Sequence, residues 1–333
     1  MKKIAILVFF TVGFFVHVWA CTGLIAGKQA TVDGSVLVTY SADSHTLYGA
    51  LTSSPAADWP KGSMRSIVEW DTNKPLGEIE QVEHTYAVMG NMNEHQLTVV
   101  ESTWGGRPEL VDTTGIIDYG SLMQLALERA KTAREAIKVM TGLVKKYGYY
   151  SSGESFTIAD PNEAWILDLI GKGPGRRGAV WVAVRIPDDC IAGHANYPRI
   201  HKIPMDDKEN CLYSPDVISF AREMGYFDGL NKDFSFARAY SPADFGALRA
   251  CDARVWSFFR KYDSTMDNYL PYVNGESAEP FPLYVKPSRK LSVQDMKEAM
   301  RDHFEDTPFD MTQDVGAGPF KVPYRFRPMS FEV

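Results

Sequence analysis

Cys21 stands at a junction: "FFVHVWA" precedes it and "CTGLIAGKQATVDGS" follows. A cysteine that becomes the first residue of a chain brings two groups together, a thiol of ordinary pKa about 8.5 and an α-amine of about 7.7 to 8.0. Near neutral pH the amine can take the thiol proton, so such a residue is a nucleophile carrying its own base. No histidine in the sequence stands in a recognisable nucleophile–base arrangement, and there is no H-E-x-x-H to seat a catalytic zinc. The same junction approximates a lipidation signal, with Val18 and Ala20 as its small or apolar positions. Bulky Trp19 weakens that second reading. So does the apolar, β-compatible run that starts at once, where a lipid-anchored chain would carry a polar tether.

The segment before the junction explains how Cys21 would come to be first. Lys2 and Lys3 precede an almost unbroken apolar run, Ile4 to Val16, and small Ala20 closes it. That order is a secretory signal peptide over 1–20, cleaved between Ala20 and Cys21 by signal peptidase. The run is short for a membrane span, which takes about 20 residues. An exported mature chain, 21–333, is therefore expected, destined for periplasm, cell surface or medium. The 333 residues, 45% hydrophobic and 23% charged, are ordinary for a globular protein. No repeat or low-complexity linker divides them, so one domain is expected. The net charge of −7, with no basic cluster, argues against nucleic acid as a partner. Cys190, Cys211 and Cys251 form no CxxC pair. One disulfide among them and burial as small apolar side chains both remain open.

The elements that must position Cys21 can be read in outline. "CTGLIAG" and "SVLVTY" flank Asp33-Gly34, a tight-turn signal, so residues 41–43 should return to Cys21. Asp43 is thereby a candidate neighbour of the α-amine. "YAVMG" and "QLTVVEST" flank the polar turn "NMNEH", and "SFTIAD" and "AWILDLI" flank "DPNE". "GPGRRG" at 173–178 satisfies the dinucleotide pattern G-x-G-x-x-G, but the β-branched "AVWVAVRIP" follows it instead of a helix. A hairpin loop is expected there, and no cofactor. Helices are expected over 121–130, over 132–147 with Thr132 and Glu135 as a capping box and Gly148 as its end, near 250, and after Ser292. Strand groups with helix pairs between them predict layered α and β structure with mostly antiparallel sheets.

"CTGLIAGKQATVDGSVLVTYSAD" resembles the start of the secreted cysteine dipeptidases, N-terminal nucleophile hydrolases related to choloylglycine hydrolases and penicillin V acylase. The likeness continues through "GNMNEHQLTVVEST", "VDTTGIIDYG", "YYSSGESFTIADPNEAWILDLIGKGPG", "WVAVRIPDDCIAGHAN" and "FSFARAYSP". It implies an α+β fold, the four-layer αββα sandwich, and hydrolysis of dipeptides with no metal or cofactor. It also implies a longer chain than this one, with further strands. Carried onto this sequence, Cys21 is the nucleophile and Asp43 the carboxylate beside it. Asn196 in "AGHAN" is an oxyanion donor, and Thr103 falls where a backbone N–H is offered. Tyr40 stands where arginine is common, so the guanidinium must come from elsewhere. Arg249 fits a late arginine of the choloylglycine hydrolases, and Arg254 is the other candidate. Glu101 is a candidate for the free amine of a dipeptide. Asn93 is a candidate substrate contact, although capping its turn explains it equally well. The rival enzyme reading is an acylase cutting a non-peptide amide, as in bile salts or penicillins.

Overall fold

A computed structural model describes residues 21–43 and 49–324, so the expected signal peptide lies outside the described residues. The first hairpin forms as its turn signal requires. Gly34 takes a left-handed φ of 80°, and Asp33 Oδ1 accepts from the Ser35 N–H at 3.1 Å. Strand Thr22–Ala26 then pairs with Leu37–Ser41, Thr22 opposite Ser41 and Gly23 opposite Tyr40. On its other side it pairs with Ile191–His194, which pairs in turn with Tyr284–Val285, closing a four-stranded antiparallel sheet. A larger, eight-stranded sheet runs in the order 211–213, 179–186, 164–171, 153–159, 98–105, 92–93, 88–89 and 53–54, also antiparallel. Its central hairpins join at the expected turns, and "GPGRRG" is a loop between Ala164–Gly171 and Ala179–Ile186.

Alternation along the strands sorts side chains into three apolar clusters. Phe156, Ile158, Trp165 and Leu167 of the large sheet pack with Leu122, Leu125, Ile137 and Met140. Those four lie on helices Tyr119–Arg129 and Ala133–Tyr147. Thr132 caps the second helix by accepting from Glu135 N–H, while the Glu135 carboxylate accepts from Lys131 N–H at 2.8 Å. Ile166, Ile170, Val180 and Val182 pack with Ile25 and Ala192 of the small sheet. Leu24, Ala26 and Ile191, on that sheet's other face, pack with Val255, Trp256 and Phe259. The chain is thus mixed α and β, with mostly antiparallel sheets. Residues 247–252 form a π-helical turn that runs into helix Ala253–Arg260, where one continuous helix was expected. The four cysteines are free thiols.

Two buried polar links fix the parts around the small sheet. His194 Nδ1 meets Ser102 Oγ at 2.6 Å and its Nε2 meets Thr157 Oγ1 at 2.8 Å, joining the two sheets. Gly23 makes room for that ring, since a Cβ there would stand 2.9 Å from His194 Cε1. Arg199 and Asp252, both wholly buried, pair at 3.1 Å. Tyr272 Oη also donates to Asp252, and Arg199 donates to the Pro282 carbonyl.

Burial, helped by the charges of Arg199 and Arg254, pushes the His194 imidazole down to about 3, so the folded protein keeps it neutral. An unfolded chain protonates it near pH 6.5. Its contribution to stability is therefore complete above that pH and is lost as pH falls toward the folded value. Relative to His194→Gln, wild type should lose about 2 kcal/mol between about pH 7.5 and about pH 5. Urea titrations at both pH values check this, and a constant gap would contradict it. Asp252→Ala leaves Arg199 buried and unpaired and should cost about 3–5 kcal/mol in the same assay.

Candidate active site

Cys21 opens the central strand of the small sheet and is 3% exposed. The hairpin returns Asp43 to it as the sequence predicts: the Asp43 backbone N–H is aimed at the Cys21 sulfur. Asp43 itself stays at the surface side of the site, where partial burial raises its carboxyl and the Arg254 charge opposes that rise. The Cys21 carbonyl accepts from Arg254 Nη1 at 2.8 Å, and the same nitrogen donates to Thr22 Oγ1 at 2.7 Å. Arg254 Nη2 reaches the Ala195 carbonyl at 3.2 Å and Asn196 Oδ1 at 2.9 Å. One guanidinium therefore clamps the strand headed by Cys21 to the "AGHAN" loop. Arg249, which the family resemblance favoured, donates instead to the Asn274 carbonyl at 3.2 Å and lies over the Phe245 ring. Arg249 lies within the π-helical turn and Arg254 in the helix that follows it. Arg254 is the arginine seen to bond the Cys21 carbonyl.

Asn196 has a left-handed φ of 56°, a conformation that asparagine tolerates better than most residues. Its amide donates to the Thr103 carbonyl while its Oδ1 accepts from Arg254. An amide nitrogen carries two hydrogens. Thr103 also donates its hydroxyl to Glu154 Oε1 at 2.6 Å, and the strand bulges just after it, between Thr103 and Gly105. Asn93 is not brought to this site as a substrate contact. Its Nδ2 donates to the Leu127 and Ala130 carbonyls, each at 2.8 Å, and its Oδ1 accepts from the His95 and Leu97 N–H groups. Every hydrogen-bonding direction of that amide is committed to tying its turn to the end of helix Tyr119–Arg129.

The remaining wall of the site is acidic. Glu101, 2% exposed, accepts from the Tyr40 hydroxyl and faces the Cys21 thiol. Tyr40 thus fills the place where a guanidinium was expected with a neutral donor. Glu154, wholly buried, lies beside Glu101. Behind them Tyr119 Oη donates to Asp71 at 2.9 Å. Burial raises both glutamates, Glu154 well above its ordinary value with the Glu101 charge adding to it. Burial likewise pushes the Cys21 thiol far up, Glu101 adds to the rise, and the Asp43 N–H opposes it. Within the whole chain, residues 1–20 included, the Cys21 nitrogen is a peptide amide and has no proton affinity to offer. Glu154 and Asp71 were missed in the sequence, and Tyr40 was read there only as the place of an absent arginine. The signal for Glu154 was a charged residue inside "GESFTIA", a strand that otherwise reads as core.

Comparison with known proteins fits this geometry. Residues 20–332 match Peptidase family C69, cysteine peptidases of the N-terminal nucleophile type, and the chain belongs to that family. It is 28% identical over 318 residues to a probable dipeptidase of Salmonella dublin, covering 87% of this chain and 68% of that one. It is 25% identical over 314 residues to a probable dipeptidase of Latilactobacillus sakei, covering 87% of this chain and 62% of the relative. Dipeptidase A of Lactobacillus helveticus is 25% identical over 327 residues, with 92% and 66% covered. The chain thus spans roughly two thirds of the length of these relatives.

Arg254→Ala removes the clamp on the Cys21 carbonyl and on Asn196 and should lower peptidase kcat/KM by about 100-fold or more. Arg249→Ala, which leaves both of those contacts in place, should lower it less. Equal losses in the two variants, each shown to be folded, would contradict this assignment.

Proposed function

We propose that the protein is an exported cysteine dipeptidase whose nucleophile is Cys21, unmasked by removal of residues 1–20. The observation that carries this reading is the seat of Cys21: buried at the head of a central strand, its carbonyl held by Arg254 and its sulfur met by the Asp43 N–H. The dipeptidase names of the relatives support peptides as substrates, and the leader pattern supports export. The three apolar clusters support an αββα order of layers, with the helices of 119–147 outside the large sheet and those after 253 outside the small one.

In the reaction the free α-amine of Cys21 takes the thiol proton. The thiolate attacks the scissile carbonyl carbon, and the charge that develops on its oxygen is met by the second N–H of the Asn196 amide and a backbone N–H near Thr103. The tetrahedral adduct collapses, the C–N bond breaks, and the leaving amine takes the proton held on the Cys21 ammonium. Water then adds to the thioester with the amine as base, releasing the carboxylic acid and restoring the thiol. Forming thiolate and ammonium together adds no net charge to the buried site. That is how a thiol facing two carboxyls can ionise at all.

Two variants test this. Cys21→Ala should abolish hydrolysis of a free dipeptide. Insertion of one glycine between Ala20 and Cys21 keeps the thiol and moves the amine away, and should lower kcat by at least about 10³-fold. Product amines measured by chromatography give the rates. Activity of the glycine-insertion variant close to wild type would rule out the N-terminal amine as base. Cleavage of N-acylated amides alone would turn the reading to an acylase.

A further inference from the structure

Beyond the nucleophile, the site holds a feature that its chemistry so far leaves unused. Glu101 and Glu154 lie on neighbouring antiparallel strands, Thr98–Gly105 and Gly153–Ala159. Thr103 is directly opposite Glu154 and Phe156 is opposite Glu101, so the two glutamates are diagonal neighbours on one face of the sheet. The sheet register holds them together, and neither can swing away to water. One oxygen of each is engaged, Glu101 Oε1 by Tyr40 and Glu154 Oε1 by Thr103. The second oxygen of each, Oε2, is buried with no hydrogen-bond partner beyond the pair itself and the Cys21 thiol. Among the described residues neither carboxyl has an ion pair. The groups that face them are Cys21 and Tyr40 from the small sheet, Asp71 from the 69–74 turn, Tyr119 from its helix, and Tyr149. Not one of these is a cation. Two buried carboxyls that have only one shared proton and a thiol to satisfy these oxygens are short of donors, and beside a nucleophile they mark a place where a donor arrives.

We propose that Glu101 and Glu154 together are the receptor for the free α-ammonium of the peptide substrate, so that they select chains with an unblocked N-terminus. This rests on the dipeptidase reading and adds Glu154 to it as a specificity-determining residue. Without ligand, two adjacent buried carboxyls cannot both ionise and hold one proton between them. An arriving ammonium brings its own N–H donors and a positive charge. It takes over the two open oxygens, and the shared proton leaves to solvent. Binding therefore releases one proton per substrate, and an N-acylated peptide, which carries no positive charge at that end, can neither displace that proton nor satisfy the oxygens.

Calorimetric titration of alanyl-alanine into processed Cys21→Ala protein, in two buffers of different ionisation enthalpy at about pH 6, counts the protons. About one proton released is expected with alanyl-alanine, and none with N-acetyl-alanyl-alanine. In the nucleophile-bearing enzyme, Glu154→Gln should lower the ratio of kcat/KM for the free over the acetylated dipeptide by about 10- to 100-fold. A ratio of rates on one preparation does not depend on how much of it is folded. No proton release, or a ratio unchanged in Glu154→Gln, would overturn the proposal and assign the pair to the α-ammonium of Cys21 itself. Proton release without any turnover by the nucleophile-bearing enzyme would keep the receptor and reject the dipeptidase.

Discussion

The thiol of Cys21 faces the carboxyl groups of Glu101, Glu154 and Asp43, while Arg254 is engaged with the Cys21 carbonyl. A bare thiolate in that place is disfavoured twice, by loss of water and by the charge of Glu101. The same surroundings favour a positive charge. Any chemistry at Cys21 must therefore create a cation within reach as it creates the thiolate, and an N-terminal amine does so in a single proton transfer. While residues 1–20 are attached, the nitrogen is an amide and this route is closed. In the proposed function, removal of residues 1–20 is therefore also the activating step.

The rest of the fold can be understood as what keeps those charges in register. His194, held neutral between Ser102 and Thr157, sets the small sheet on the large one, and the absence of a side chain at Gly23 lets the ring lie there. Tyr40, directly opposite Gly23, then reaches Glu101. On the other face, the Arg199–Asp252 pair fixes the start of the helix that carries Arg254. Together these buried and part-buried links hold Cys21, Arg254 and the acidic wall in place.

What the sequence made legible was local. Asp33-Gly34 placed residues 41–43 beside Cys21, and the Asp43 N–H is at the sulfur. Thr132 and Ser292 were readable as caps because a cap is decided within a few residues. What was illegible depended on register between distant strands. Glu154 meets Glu101 only through pairing across 51 positions of sequence, counted from the Thr103–Glu154 contact. Arg249 and Arg254 are indistinguishable as residue types, and a π-helical turn that periodicity does not announce decides between them. For Asn93 the sequence left turn capping and a substrate contact as equal readings; its two bonds within the turn are the local one, and its two bonds to the Leu127 and Ala130 carbonyls depend on tertiary packing.

The central claim concerns one residue and its two groups. Intact mass with N-terminal fragmentation of the protein recovered from exporting cells tests it most directly. A chain that begins at unmodified Cys21, with thiol and amine both free, is the predicted result. A diacylglyceryl thioether on the sulfur with an acylated amine would contradict it, because no nucleophile and no base would remain at the head of the strand.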